Sequence, residues 1–370
     1  MANGRAATTT SPTQRNAVVV IAVVIAGAAL YWLRGLLTPF ALAFFLLIMI
    51  EGMAEWFKRH VPGLPDWAAM PAAIGAVLLA FGLSVFIVAD NIASFAGQLS
   101  SYLPRLNAMI ADVAHLVGFE GATPTLNDLV NRLDPQRFIG VGASAIQQFA
   151  GDTLLVLIYL GFLLVSRRSF ARKQDSLFLQ AADRDEAVEI FSRIREGVEK
   201  YLWVQTVTGF IIAVACWLVM VAVGLEQAVF WAFFIFLTGY IPVIGPAAGT
   251  ILPAVFALVQ FQGYGPAIIV FGGTQAITFI VGNFIYPRMQ GQSLNLDPLA
   301  VLLALAFWGL LWGLPGAFLA TPLLVATMVL LAQFDGSRWI AVLISDNGQP
   351  LGEDRVRRRQ AERIDPVTEA

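Results

Sequence analysis

The sequence has few cysteines, histidines and recognisable catalytic motifs, and these shortages exclude several classes of protein. Its 370 residues include one cysteine, Cys216, and two histidines, His60 and His115, which are far apart along the chain. A single cysteine cannot form a disulfide within the chain, and no Cys/His cluster has the spacing of a metal site. The chain has no HExxH or GxxxxGK[ST] motif, and no serine is arranged with a base. We therefore predict no metal, no cofactor and no enzymatic activity.

Charge is also scarce. Charged residues make up 13% of the chain and hydrophobic residues 58%, against about 25% and about 45–50% in soluble globular proteins. Such a chain has too little polar surface to cover a water-soluble fold. This composition excludes an ordinary cytosolic enzyme and a disordered scaffold, and it predicts an integral membrane protein in contact with the lipid bilayer.

Charge-free stretches locate the membrane segments, because a bilayer core takes about 20 apolar residues per helix. Two of these stretches are long enough for several segments, which brings the total to about eight. The predicted fold is therefore an all-α, polytopic integral membrane protein. The stretches cover residues 16–33, 36–50, 67–89, 150–166 (with Asp152 near its start), 201–287 (where Glu226 is the one charge) and 298–334.

The polar segments set the orientation. Residues 90–150 carry apolar side chains at spacings of three and four, which predicts amphipathic helices outside the bilayer. Lysine and arginine are concentrated in residues 167–200 and in the tail, which places both termini in the cytosol and residues 90–150 outside. The predicted organisation is N-terminal transmembrane helices (1–89), an external segment (90–150), a transmembrane helix (151–166), a charged cytosolic helical segment (167–200), a C-terminal transport region (201–334) and a mostly disordered cytosolic tail (335–370).

Prolines and glycines interrupt the long apolar run at residues 239–246. Pro242 and Pro246 remove backbone donors and flank Gly245, so one straight helix cannot continue through them. Thr250 lies beside this break. Unwound backbone is tolerated in lipid only where it faces protein or a water-filled cavity. The break therefore predicts a substrate path or a re-entrant hairpin, although two kinks that only shape the packing are an alternative.

The last apolar run repeats this feature. Gly313 and Pro315 divide residues 298–334, which are too many for one upright span. Two topologies fit both interrupted runs. Either each run crosses the bilayer once, giving eight crossings, or each run folds back as a re-entrant hairpin, leaving six crossings. The C-terminus is cytosolic in both.

Neutral polar side chains lie between the two breaks. Gln275 and Asn283 are eight residues apart and share a helical face. They are candidates for contacts with a polar, uncharged solute, or alternatively for hydrogen bonds between helices. Arg288 and Asp297 would flank the cytosolic mouth as a gating ion pair.

With these residues in view, the chain resembles the autoinducer-2 exporter-like family of multi-pass bacterial transporters. The resemblance covers residues 200–334. It implies a permease of the bacterial inner membrane and a homo-oligomer, with a pentamer as the expected assembly. The residues that carry it are Lys200-Tyr201, Ile241–Pro246, Pro253, Tyr286-Pro287, Gly291, Pro298, the Gly313/Gly316 pair and Ala320-Thr321-Pro322.

Three functions fit these patterns. The broken segments and neutral polar groups favour a secondary transporter or exporter of a small polar organic solute, which by resemblance would be like autoinducer-2. A sodium(cation)/proton antiporter is an alternative, but it needs a carboxylate at membrane depth to exchange a coupling proton or sodium ion. A non-transporting oligomeric scaffold or sensor is the third. Nucleic acid is not an expected partner. The sequence predicts interfacial, solvated positions for the available carboxylates, Glu51, Glu55, Asp152, Glu226 and Asp297.

Overall fold

The computed structural model describes residues 12–116, 151–167, 169, 181–290 and 295–350, and these residues are almost entirely helical. Within them the β-structure is limited to one isolated bridge, between Leu296 and Ser345. The predicted all-α fold is confirmed. The helices are α1 (Pro12–Trp32), α2 (Arg34–His60), α3 (Asp66–Leu116), α4 (151–167), α5 (Ala181–Val223), α6 (Ala228–Thr238), α7 (Ile244–Gln260), α8 (Tyr264–Ile280), a π-helical turn (Val281–Ile285), α9 (Tyr286–Gln290), α10 (Pro298–Leu331) and α11 (Arg338–Ile344).

Within the described residues, five helical stretches are long and apolar enough to cross a bilayer, which confirms the predicted polytopic membrane fold. A helix suits this environment because it satisfies its backbone hydrogen bonds internally. The predicted helical segments within 117–150 and the tail from residue 351 lie outside the described residues. The five stretches are Arg34–His60, Asp66–Ile87, Ala187–Val223, Tyr264–Met289 and Pro298–Leu331, and shorter apolar helices cover Val20–Trp32, Ala228–Thr238 and Ile244–Gln260.

Helix α3 continues through residue 90, where the sequence predicts a change from a spanning helix to an external one. Its extension is fixed by Tyr102, which is buried against Phe256 and donates a hydrogen bond to Glu226 Oε2 at 2.6 Å. Burial and this carboxylate raise the pKa of Tyr102 to about 12. Gln260 joins the same site by accepting from Glu226 N at 2.8 Å and donating to Gly224 O at 2.9 Å. The extension therefore packs on the two loops that enclose α6 and α7.

Near the C-terminal end of α2, Glu51 holds three helices together. Its carboxylate accepts from Arg167 Nε of α4 at 2.8 Å and from Arg195 Nη2 of α5 at 3.0 Å. The residue is only 8% exposed. The predicted solvated position of Glu51 is therefore wrong, because the two arginines, distant in sequence, cover and neutralise it.

Candidate functional site

The first interrupted run folds back on itself. Helices α6 and α7 contain 11 and 17 residues, which correspond to about 17 and about 26 Å. Both are shorter than a bilayer core of about 30 Å. The turn at residues 239–243 joins them, and Val243 adopts a positive φ of 64° there.

Two glycines allow α6 and α7 to lie side by side. A Cβ atom at Gly245 would overlap the carbonyl oxygen of Thr238, and one at Gly249 would lie 3.3 Å from Ile235 Cγ1. Residues later in α7 thus meet residues earlier in α6, so the two helices are antiparallel. We call residues 228–260 hairpin 1.

Helix α10 also reverses direction, at Gly313. Gly313 has φ 68° and ψ −145°, which no helix accommodates. A Cβ atom at Gly309 would lie 3.8 Å from Ala317 Cβ, whereas eight residues along one helix are separated by about 12 Å. A Cβ atom at Gly316 would overlap the carbonyl oxygen of Trp308. Residues 298–331 therefore form a second antiparallel pair, which we call hairpin 2.

The two hairpins meet beside α5. The rings of Tyr240, in the turn of hairpin 1, and Phe318, just after the reversal of hairpin 2, have centroids 4.8 Å apart. From α5, Gln205 Nε2 donates to Gly239 O at 2.8 Å. The hydroxyls of Thr206 and Tyr240 are 2.7 Å apart and hydrogen-bonded.

A cluster of hydroxyl groups occupies this meeting point. Tyr201 and Tyr240 are 3% and 5% exposed, and Thr321 of hairpin 2 is 4% exposed. Thr321 Oγ1 lies beside Tyr201 but makes no hydrogen bond of standard geometry within the described part of the chain. Buried polar groups are normally satisfied, and Tyr201 is the neighbour that can serve Thr321 Oγ1 here. We call Tyr201, Gln205, Thr206, Tyr240 and Thr321 the hairpin junction.

The residues predicted at the breaks lie in the hairpins, but not all of them carry accessible chemistry. Pro242 is half-buried in the turn of hairpin 1, Gly245 is buried and Pro246 is exposed. The Thr250 hydroxyl donates to Pro246 O at 3.0 Å within its own helix. Gly313 and Pro315 lie at the reversal of hairpin 2. These residues shape the two reversals, and their role in a substrate pathway stays a prediction.

Gln275 and Asn283 are exposed on the surface of α8 and the π-helical turn. Asn283 Nδ2 donates to Phe279 O of the same helix at 2.8 Å. Among the described residues, no hydrogen bond joins either side chain to the hairpin junction. The structure thus does not bring this pair together with the buried hydroxyls, and contact with solute stays a prediction for it.

Asp297 caps a helix. Its carboxylate accepts from the backbone N–H groups of Leu299 and Ala300 at 2.8 and 3.1 Å, at the N-terminus of α10. Arg288 is exposed, and the ion pairs of the described residues do not include one between Arg288 and Asp297. Their gating role stays a prediction, and the cap is the role that the contacts support.

The two roles of Asp297 predict different outcomes for two substitutions. Asparagine keeps the oxygen that caps the helix but loses the charge, so Asp297→Asn should retain transport if the cap is what matters. Asp297→Ala should cost about 1 kcal/mol of unfolding free energy. Thermal unfolding and transport of both variants are the measurements. Equal loss of transport in both, with stability retained in Asp297→Asn, would support the ion-pair gate instead.

Several junction residues lack a strong sequence pattern. Thr206 and Gln205 are ordinary polar residues in an apolar helix, and the sequence does not single them out. Tyr240 and Thr321 lie within two residues of a proline break, and that proximity is the signal that could have identified them. Within the described residues, no group of three or more His, Cys, Asp or Glu side chains could hold a metal ion.

Comparison with known proteins gives consistent matches along most of the chain. Residues 20–335 match the model of a family described as AI-2E family transporter. The chain is 26% identical to a putative transport protein of Haemophilus influenzae, over 88% of this chain and 95% of that protein. It is 25% identical to the AI-2 transport protein TqsA of Escherichia coli, over 84% and 90%. A putative transport protein of E. coli, YhhT, is 24% identical over 87% and 91%.

Proposed function

The chain belongs to the AI-2E family of transporters, and we propose that it exports a small polar organic solute across the bacterial inner membrane through the hairpin junction. Membership of the family makes it a multi-pass membrane transport protein. The observation that carries the proposal is the buried hydroxyl cluster between two chain reversals. The name of the E. coli relative TqsA, an AI-2 transport protein, supports autoinducer-2 as the first solute to test.

In the proposed topology, six helices cross the bilayer and the two hairpins enter it from opposite sides. Helix α5 supports this arrangement, because Gln205 contacts hairpin 1 and a Cβ atom at Gly197 would lie 2.9 Å from Val325 of hairpin 2. The loops at the base of hairpin 1 contact the extension of α3, which the distribution of charge places outside. The base of hairpin 2 contacts α11, through Asp297 N donating to Ile344 O at 2.9 Å. Both termini would then be cytosolic.

The chemistry of the junction suits a solute with hydroxyl or carbonyl groups. Such a solute can exchange hydrogen bonds with the Thr206–Tyr240 pair and can satisfy Thr321 Oγ1. Because these groups are buried, the solute reaches them only when one hairpin moves away from the other. A transport cycle in which each hairpin in turn exposes the junction would give alternating access, with binding at the midplane.

The contacts lend less support to the antiporter alternative. Antiport needs a carboxylate that releases and takes up a proton at membrane depth. The Glu51 carboxylate is held by two arginines, and that of Asp297 by two backbone N–H groups. Glu226 accepts from Tyr102. Three of the five carboxylates considered as carriers are thus already held by partners in the described structure.

The test is transport of labelled autoinducer-2 by purified protein in proteoliposomes. Each of Tyr240→Phe and Thr321→Val removes one hydroxyl, and each should lower the transport rate about tenfold, because a hydrogen bond to a polar solute contributes about 1 kcal/mol or slightly more. Tyr264→Phe is the matched control, since Tyr264 is 62% exposed at the start of α8. Unchanged rates in both junction variants would contradict the proposed path. Absence of transport by the wild-type protein would contradict autoinducer-2 as the solute.

A further inference from the structure

A cavity of about 490 Å³ lies between α2 and α5, on the side where Glu51 joins the helices. Its size falls in the range of small-molecule sites. Its lining combines aromatic rings with carboxylates: Trp56, His60, Trp203, Glu55, Glu196 and Glu199. We propose that this cavity binds an organic ammonium group, such as the head of a primary or quaternary amine. The cavity adjoins the hairpin junction, because Thr206 lines both, but the proposed ligand does not depend on the identity of the transported solute.

The aromatic wall has rings available to a ligand. The ring centroids of Trp56 and Trp203 are 5.9 Å apart, and His60 stacks on Trp56 at 5.0 Å. The two tryptophans are 38% and 41% exposed. Tryptophan faces attract ammonium cations through the ring quadrupole, and pockets for quaternary ammonium ligands commonly use several such rings.

The carboxylates make the cavity favourable for a cation. The Glu199 side chain packs closely on Gly52: a Cβ atom added to that glycine would lie 2.8 Å from Glu199 Oε1. The ion pair of Glu199 with Arg195 Nε is long, at 3.9 Å. Arg195 makes its shorter contact, at 3.0 Å, with Glu51. Arg195 also lines the cavity, but its closer contact is with Glu51, and Glu199 is left with the more distant one.

The two remaining carboxylates also lack strong cationic partners among the ion pairs of the described residues. Glu55 pairs with Lys58 and Arg59 only at 4.0 and 3.9 Å, at the protein surface. Glu196 accepts from the neutral hydroxyl of Ser192 at 2.8 Å. Three carboxylates line the cavity with two arginines, Arg59 and Arg195, so one negative charge of the lining is left unbalanced. A monovalent cation would complete the charge balance, whereas an anion would be repelled.

The shape of the ligand follows from this arrangement. The carboxylates lie around an aromatic surface and do not form a compact oxygen cage, and among the described residues no acidic cluster could hold a metal ion. An ammonium group carrying methyl or methylene groups satisfies both the rings and the charges. A soluble amine and the head group of a phospholipid share this chemistry. Both could reach the cavity, because it lies near the basic end of α2, where the chain is expected to leave the bilayer.

The test measures binding of labelled choline to the purified full-length protein in nanodiscs of phosphatidylglycerol, which carries no ammonium. We expect saturable binding that the neutral isostere 3,3-dimethyl-1-butanol does not displace. Glu199→Gln and Trp203→Leu should each weaken binding about tenfold. Glu189→Gln, on the same helix but outside the cavity, and Trp339→Leu, on α11, are the matched controls. Gel filtration and thermal unfolding confirm that each variant remains folded.

The results separate the proposal from its alternatives. Displacement by the neutral isostere, absence of choline binding, or wild-type affinity in both cavity variants would overturn it. Replacing part of the phosphatidylglycerol with phosphatidylethanolamine identifies the source of the ammonium. Loss of choline binding in those discs supports a lipid head group as the occupant, and retained binding supports a soluble amine. None of these readouts involves export, so failure here is distinguishable from failure of the transport proposal.

Discussion

Gly245→Ala and Gly316→Ala are each expected to prevent assembly of a stable protein. The added methyl group would overlap the carbonyl oxygen of Thr238 in hairpin 1 or that of Trp308 in hairpin 2. Backbone carbonyls cannot rotate away as a flexible side chain can, so the two arms of the hairpin would have to separate. We expect a loss of at least about 3 kcal/mol of unfolding free energy, at the upper end for an overpacked site. The fraction of purified protein that elutes as a folded species, together with its thermal unfolding, measures this loss.

Gly272→Ala and Gly265→Ala are the controls. Both glycines lie in α8, and a Cβ atom at either would have no neighbouring atom within 4 Å outside its own stretch of helix. Alanine favours helix over glycine by up to about 1 kcal/mol, so these variants should be as stable as the wild type or more so. Wild-type stability in Gly245→Ala and Gly316→Ala would show that the arms are not in contact and would remove the hairpins from the proposed function.

The positions of the breaks are predictable from the sequence, because proline and glycine act locally. Pro242 and Pro246 interrupt the run where hairpin 1 turns, and Gly313 lies at the reversal of hairpin 2. Whether the chain continues or folds back is not a local property. The reversal depends on close approach between Gly316 and Trp308, residues whose distance along the chain gives no indication of contact. Composition and run length therefore leave open both eight crossings and six crossings with two re-entrant hairpins.

The candidate site was harder to predict for a related reason. Helical periodicity singled out Gln275 and Asn283, because their spacing within one segment places them on the same face of a helix. The π-helical turn at Val281–Ile285 alters that periodicity, and both side chains are exposed. The hairpin junction instead draws Thr206, Tyr240 and Thr321 from three separate segments. A hydroxyl in an apolar helix is common, so only tertiary contact distinguishes these from the others.

Glu51→Ala is expected to have the second large effect, because it leaves Arg167 and Arg195 close together without the anion that joins them. Removing one partner of a buried ion pair typically costs about 3–5 kcal/mol. The side chains of the arginines are 47% and 40% exposed, so water screens part of the repulsion and the lower end of this range applies. A thermal unfolding midpoint several degrees below that of the wild type is the expected result.

Glu55→Ala tests whether the effect comes from burial rather than from loss of any carboxylate on α2. Glu55 lies one turn later, its side chain is half exposed, and its ion pairs are about 4 Å long. Exposed pairs of this kind contribute less than about 1 kcal/mol.

The double variant Glu51→Ala/Arg195→Ala should recover part of the loss, because one of the two uncompensated charges is removed with its partner. A Glu51→Ala protein that unfolds at the wild-type temperature would mean that apolar packing alone holds α2, α4 and α5 together.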